Sequence, residues 1–210
     1  MKYLSVVLIF LPMLLNAQTG IQNMNKIDSS IKYNIDEFIL SKMDSFHIPG
    51  LALAVVKDDE IIYTHGYGYA NLELKTPIQP ESKFLIGSIT KSVTAVALMM
   101  LWEKGMFSLN DSIGNYVDNI PETWKSLTIE QLLNHTSGIP TNLEMPPPCD
   151  YEYDSQNYTR MNYFQEVMCL PLEFTPGTQW KYSGATGYDL LGVMIEKLSG
   201  DNYYEFIRKN

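Results

Sequence analysis

The chain has 210 residues, 45% of them apolar and 19% charged, with a formal net charge of −9. That is enough apolar material for the core of one domain or one and a half, and it argues against a disordered or coiled-coil chain. The acidity argues against a nucleic-acid partner, whose phosphates call for Lys and Arg, and against attraction to an anionic membrane surface.

Lys2, the apolar run Tyr3 to Leu15 and the sequence Leu15-Asn16-Ala17 read as a signal peptide over residues 1–17, with Gln18 opening the mature chain. The run is shorter than the ~20 residues of a spanning helix, so an uncleaved anchor is the alternative. No Cys lies near the cut, which disfavours a lipid anchor. The expected place is periplasmic or extracellular, with no membrane span after cleavage. In an oxidising compartment Cys149 and Cys169 either pair or remain two separate thiols. Two Cys and three His without paired ligand spacing predict no zinc site, and no cofactor is expected.

Residues 18–26 are polar and predicted loose. Ile27, Ile31, Ile35, Phe38, Ile39, Met43 and Phe46 fall on one helical face that Pro49-Gly50 ends. Leu51–Val56 and Ile61–Tyr69 read as a hairpin across Lys57-Asp58-Asp59-Glu60. Gly66 and Gly68 in its second strand predict a bulge or a close backbone approach. Residues 71–83 read as an irregular connection. A helix follows over Ile89–Lys104, stopped by Gly105 and apolar nearly all round, hence buried on most sides. Thr128 and Gln131 form a capping box for a short helix over Ile129–Asn134. A long loop covers 141–158 and a helix Met161–Met168. Pro176-Gly177 is a turn. A helix over Ala185–Leu198 is closed by Gly200, and 202–209 form one more helical piece.

Ser-x-x-Lys puts a hydroxyl and an amine one helical turn apart on one face. A serine hydroxyl is a weak nucleophile until a base takes its proton, and a lysine of lowered pKa can be that base. About one such spacing is expected by chance in this composition. Two occur, Ser29 to Lys32 and Ser88 to Lys91. Ser29 opens a surface helix and reads as its N-cap. Ser88 follows Phe84-Leu85-Ile86-Gly87 and heads the core helix, where free amides and the helix dipole favour developing negative charge. The plain alternative is that Ser88 only caps that helix and Lys91 reaches solvent.

Phe84-Leu85-Ile86-Gly87-Ser88-Ile89-Thr90-Lys91-Ser92 resembles the active-site segment of the serine β-lactamase-related, penicillin-binding-protein-like hydrolases, a family that includes class C β-lactamases, D-alanyl-D-alanine carboxypeptidases and esterases. Further segments follow in the family's order. Ile48-Pro49-Gly50 and Gly66-Tyr67-Gly68-Tyr69-Ala70 resemble its first strands. Leu132-Leu133-Asn134-His135-Thr136-Ser137-Gly138 and Pro176-Gly177-Thr178-Gln179-Trp180-Lys181-Tyr182-Ser183 resemble two later stretches, and Gly187-Tyr188-Asp189-Leu190-Leu191-Gly192 the helix after them.

The resemblance implies an α+β, β-lactamase/transpeptidase-like fold over 27–210. It would comprise a helical subdomain with a buried nucleophile helix, and the N-terminal strands of an antiparallel sheet whose C-terminal strands are missing. It also implies Ser88 as nucleophile, Lys91 as its proton acceptor and Tyr182 as the second proton-handling residue; otherwise Tyr182 is a buried aromatic with a satisfied hydroxyl. His135 is assigned no catalytic part: at the end of a short helix a histidine serves the last carbonyls.

Two departures qualify the resemblance. Gly184 follows Tyr182-Ser183 where the family's β-lactamases and peptidases usually carry an Asn that bonds the lysine and the substrate amide. The family's Lys-Thr-Gly or His-x-Gly does not occur between Tyr182 and Asn210. The expectation is therefore the front portion of a longer protein, or a truncated product.

The expected function is acyl transfer to water through Ser88, on small esters or amides. The competing expectation is an inactive remnant serving as a non-catalytic binding module. The sequence carries no Gly-x-Ser-x-Gly, phosphate-binding glycine loop or His-Glu-x-x-His.

Overall fold

The structure, a computed structural model, describes residues 26–141 and 167–210. The loop expected over 141–158, most of the helix expected over Met161–Met168, Cys149 and the leader lie outside the described residues. Val167 and Met168 sit in a turn, and Cys169 is not a free thiol. No helix among the described residues is long and apolar enough to cross a membrane. The chain divides into two compact units, Met1–Leu85 and Ile86–Asn210.

In the first unit, helix α1 (Ser29–Phe46) precedes strands β1 (Gly50–Lys57), β2 (Glu60–Asn71) and the short β3 (Thr76–Pro77). The cap of α1 is Asp28 rather than Ser29: its carboxylate accepts from the Ser30 amide at 2.7 Å. Its last turn ends at His47, in the left-handed region two residues before Pro49.

β1 and β2 pair antiparallel with Lys57 opposite Glu60. The two residues between them, Asp58 and Asp59, have φ of 52° and 61°, the type I′ geometry that matches strand twist. The register slips at Val55/Val56, not at the glycines. Gly66 instead marks a close approach: a Cβ there would lie 2.4 Å from the Ile78 carbonyl oxygen. That approach also explains why part of the connection read as irregular is a strand. β3 runs antiparallel along β2, with Pro77 on the sheet edge where its missing N–H costs nothing.

The apolar face of α1 is covered only in part, with Ile35 and Ile39 half-buried. Met43 is covered, while Ile31, Phe38 and Phe46 are exposed. A polar cluster also ties the helix to the hairpin. Asp36 accepts hydrogen bonds from Tyr63 at 2.9 Å and Tyr67 at 2.6 Å, and pairs with Lys32. Partial burial alone would raise the Asp36 carboxyl, but Lys32 and the two phenols outweigh it and hold it at about 2. A depressed carboxylate contributes stability above its unfolded value of 3.8 and loses it as the pH falls toward 2. Tyr63 and Tyr67 also meet each other at 3.4 Å, so Asp36→Ala would leave one of the two buried hydroxyls without an acceptor, at about 1–3 kcal/mol. Faster hydrogen exchange of the β1–β2 amides is the expected sign, and unchanged protection would refute this account.

The second unit contains the main core. A 3-10 turn (Gly87–Ile89) leads into α2 (Thr90–Glu103), followed by a second 3-10 turn (Ile113–Asn115), α3 (Glu122–Lys125) and α4 (Ile129–Leu133), then α5 (Thr186–Ser199) and α6 (Tyr203–Lys209). α2 buries Thr94, Ala97, Leu98 and Leu101, spaced i, i+3, i+4, i+7. Ala97, Leu98 and Leu101 join one core with Leu190, Leu191, Met194 and Ile195 of α5, and with Trp124, Ile129 and Leu132. Each buried Leu, Ile or Met of that core contributes about 1.5–3 kcal/mol.

α2 is fully buried on that face and half-buried at Val93, Ala95, Met99 and Met100, with Val96 and Trp102 exposed. An all-apolar composition says that a helix has no obligatory wet face; it does not say how many neighbours cover it. The expected punctuation is present. Gly105 (φ 69°) and Gly200 (φ 75°) end α2 and α5 in the left-handed region. The capping box closes with Gln131 N–H to Thr128 Oγ1 at 3.2 Å and Thr128 N–H to Gln131 Oε1 at 3.0 Å.

Candidate active site

Ser88 occupies the 3-10 turn ahead of α2, one residue after Gly87. Gly87 has φ 52°, and a Cβ there would meet nothing within 4 Å. Backbone conformation rather than room is therefore what calls for glycine next to the serine. Ser88 is exposed and Lys91, on the first turn of α2, is half-buried. Lys91 Nζ donates to Ser88 Oγ at 3.3 Å.

Tyr182 reaches the same hydroxyl from 94 residues downstream, with 2.5 Å between the two oxygens. The structure thus brings together all three residues singled out in the sequence. Tyr182 is not a buried aromatic: 38% of it is exposed. The Lys91 ammonium beside its hydroxyl, and then the bond to Ser88, hold its phenol below the usual tyrosine range.

Lys91 also lies over two aromatic rings, with Nζ 5.1 Å from the Tyr182 centroid and 5.6 Å from that of Tyr188. Both are within cation–π range. Tyr188, on α5, donates to the Leu133 carbonyl at 2.9 Å. Burial, and then the neighbouring Tyr182, push its own phenol up. Gly184 has φ 61°.

His135 does not serve the end of α4 as its sequence position suggests; the Gln131 carbonyl there takes the Thr136 amide at 2.9 Å. The imidazole turns toward Ser183, with Nδ1 3.2 Å from its hydroxyl, and packs between the rings of Tyr182 (4.9 Å) and Tyr188 (5.4 Å). Burial, and then the charge on Lys91, lower its pKa and favour the neutral ring. His135 and Tyr188 are the neighbours that sequence reasoning did not assign. Both stand inside the quoted motifs, so a signal existed, but 48 residues separate His135 from Ser183 and no local pattern spans that distance.

Over residues 35–210 the chain matches the beta-lactamase family. The chain belongs to the beta-lactamase family. Among curated relatives, penicillin-binding protein 4* of Bacillus subtilis is 33% identical over 165 residues, covering 76% of this chain and 34% of that protein. Among solved structures, the octameric penicillin-binding protein homologue from Pyrococcus abyssi is 33% identical with a TM-score of 0.70, over 85% of this chain and 41% of the other. D-amino acid amidase from Ochrobactrum anthropi is 27% identical with a TM-score of 0.69, over 84% and 48%. The chain spans about a third of the length of the curated relatives it matches. Its mixed α/β make-up, a three-stranded antiparallel sheet and helices, matches that of these beta-lactamase-like neighbours.

Proposed function

We propose that this beta-lactamase-family chain carries the acyl-transfer machinery of a serine hydrolase, with Ser88 as nucleophile and Lys91 and Tyr182 as its proton-handling pair. The observation that carries the reading is the Ser88 hydroxyl within hydrogen-bond reach of both the Lys91 amine and the Tyr182 phenol, the phenol having a lowered pKa. Ser88 Oγ bonds to the carbonyl carbon of an ester or amide as its proton passes to the pair, and the same proton then leaves on the departing alcohol or amine. Water attacks the acyl-serine in the second half and gives up its proton by the same route. The backbone amide of Ser88, at the mouth of the helix, supplies half of the oxyanion site.

An amidase and penicillin-binding proteins among the relatives agree with small acyl substrates. The leader read over residues 1–17 sets that chemistry outside the cytoplasm. A fluorescent fluorophosphonate tests the reading: wild type should label and Ser88→Ala should not. Well-folded wild-type protein that stays unlabelled would refute it. That result would favour the second reading, a non-catalytic binding module, to which Gly184 points.

Gly184 also bears on substrate choice. Without a side-chain amide beside Lys91 and the acyl group, β-lactams should turn over weakly or not at all. Asn is tolerated at φ 61°, so Gly184→Asn restores the amide with little backbone strain. Nitrocefin hydrolysis should lie near background in wild type and rise in the variant. Wild-type turnover matching that of a β-lactamase would overturn this assignment.

A further inference from the structure

The Tyr182 phenol is only useful if it stays on Ser88, yet it is well exposed and its own segment, residues 178–185, is neither helix nor strand. Something outside that segment must hold it. The residues on either side of Tyr182 both bond to one residue. The Lys181 amide donates to the His135 carbonyl at 3.1 Å, and the Ser183 hydroxyl meets His135 Nδ1 at 3.2 Å. Between these two anchors the imidazole lies 4.9 Å from the phenol ring it brackets.

We infer that His135 is the positioning residue of Tyr182, gripping the chain before and after it and holding the phenol against Ser88 and Lys91. Its catalytic consequence rests on the hydrolase reading above; its geometric content does not.

Four further features fit this role. His135 has φ 60°, a left-handed conformation in which histidine is among the better tolerated non-glycine residues. Such strain persists where surrounding contacts over-determine it. Ser183 is buried, and Gly187 leaves its hydroxyl the space it occupies: a Cβ at Gly187 would come within 3.3 Å of it. The far side of the imidazole is backed by Tyr188, itself tied to the Leu133 carbonyl. The ring's lowered pKa keeps it neutral, so it adds no second cation beside Lys91, Tyr182 and Tyr188.

Two variants separate side chain from backbone. His135→Gly keeps the left-handed turn and the carbonyl that Lys181 uses, and loses the imidazole. His135→Asn keeps the turn and offers a side-chain amide near the place of Nδ1. The readout is the ionisation of Tyr182 in the full chain, followed by tyrosinate absorbance as the difference from Tyr182→Phe, with fluorophosphonate labelling of Ser88 measured alongside.

In wild type the Tyr182 titration should lie below 10, the ordinary value. In His135→Gly it should move up toward that value, and labelling should slow at least tenfold. Asn should recover most of both. A Tyr182 titration unchanged in His135→Gly overturns the inference, even if wild type labels and the hydrolase reading stands. A titration that moves in protein that never labels supports the positioning role and removes the hydrolase reading. Asn failing where Gly fails, with the phenol shifted in both, would still assign the grip to this side chain and narrow it to the imidazole ring.

Discussion

Replacing Lys91 with Met should slow acylation of Ser88 about a thousandfold, with little change in thermal stability. Positioned proton transfer contributes roughly 10²–10⁴-fold, and each tenfold is about 1.4 kcal/mol of barrier. Lys91 is half-buried, and Met fills most of its path without an amine. The loss has two parts. The Ser88 hydroxyl loses the amine 3.3 Å away, and the Tyr182 phenol loses the cation that lowers its pKa.

The second part fixes the pH dependence. A phenol of lowered pKa is ionised over more of the pH range, so wild-type labelling should climb with pH and level off below 10. In Lys91→Met the remaining rate should level off at higher pH. Tyr182→Phe, which deletes one oxygen 2.5 Å from Ser88, should cost about a hundredfold or more and abolish that ionisation. Because both residues serve one proton, the double variant should be far less impaired than the product of the two single losses. Rates within threefold of wild type for Lys91→Met would remove the amine from the mechanism.

Gly138→Ala should lower the melting temperature by roughly 10 °C and reduce labelling together with it. Gly138 has φ 77°, where an alanine costs about 1–2 kcal/mol. A Cβ there would also lie 2.5 Å from the Phe174 carbonyl oxygen, a backbone atom that cannot step aside without moving its segment. Forced contacts of this kind add about 1–3 kcal/mol, for a total near 3 kcal/mol, and a chain of this size loses about 2–4 °C for each.

The clash falls on the join that sets Tyr182. Across it the Glu173 amide donates to Gly138 at 2.8 Å, the Gly177 amide to Thr136 at 2.8 Å and the Lys181 amide to His135 at 3.1 Å. Gly105→Ala is the comparison. Its φ is 69°, but nothing lies within 4 Å of the added Cβ, so about 1 kcal/mol is expected and labelling should persist. Equal melting temperatures for the two variants would show that the Phe174 contact carries no weight.

Local chemistry made much of this protein legible before any coordinates. The turn of the hairpin, the stop at Gly105, the capping box at Thr128 and the close of α5 at Gly200 each depend on a few neighbouring residues with fixed conformational preferences. The Ser88–Lys91 pairing is local too, one helical turn, and the ordered motifs pointed to Tyr182 through family resemblance. The errors came where a periodic signal was asked to report coverage. α1 has an apolar stripe and leaves Ile31, Phe38 and Phe46 exposed; α2 is apolar all round and is fully buried on one face, with Val96 and Trp102 exposed. A pattern states which surfaces prefer to leave water, whereas burial requires a second element at that place.

By itself the sequence determined the first hairpin and the main helices, the α+β class, the family and the three residues on which the chemistry is proposed to rest, but not β3 or α3. Only the tertiary structure decided that Tyr182 meets Ser88, that His135 turns away from its own helix to bracket Tyr182, and that Asp36 joins α1 to two tyrosines of β2. The reason is separation along the chain. Contacts across 94, 48 and 27 or more residues leave no periodicity behind, because each partner obeys its own local rules and the distance between them is set only when the core closes.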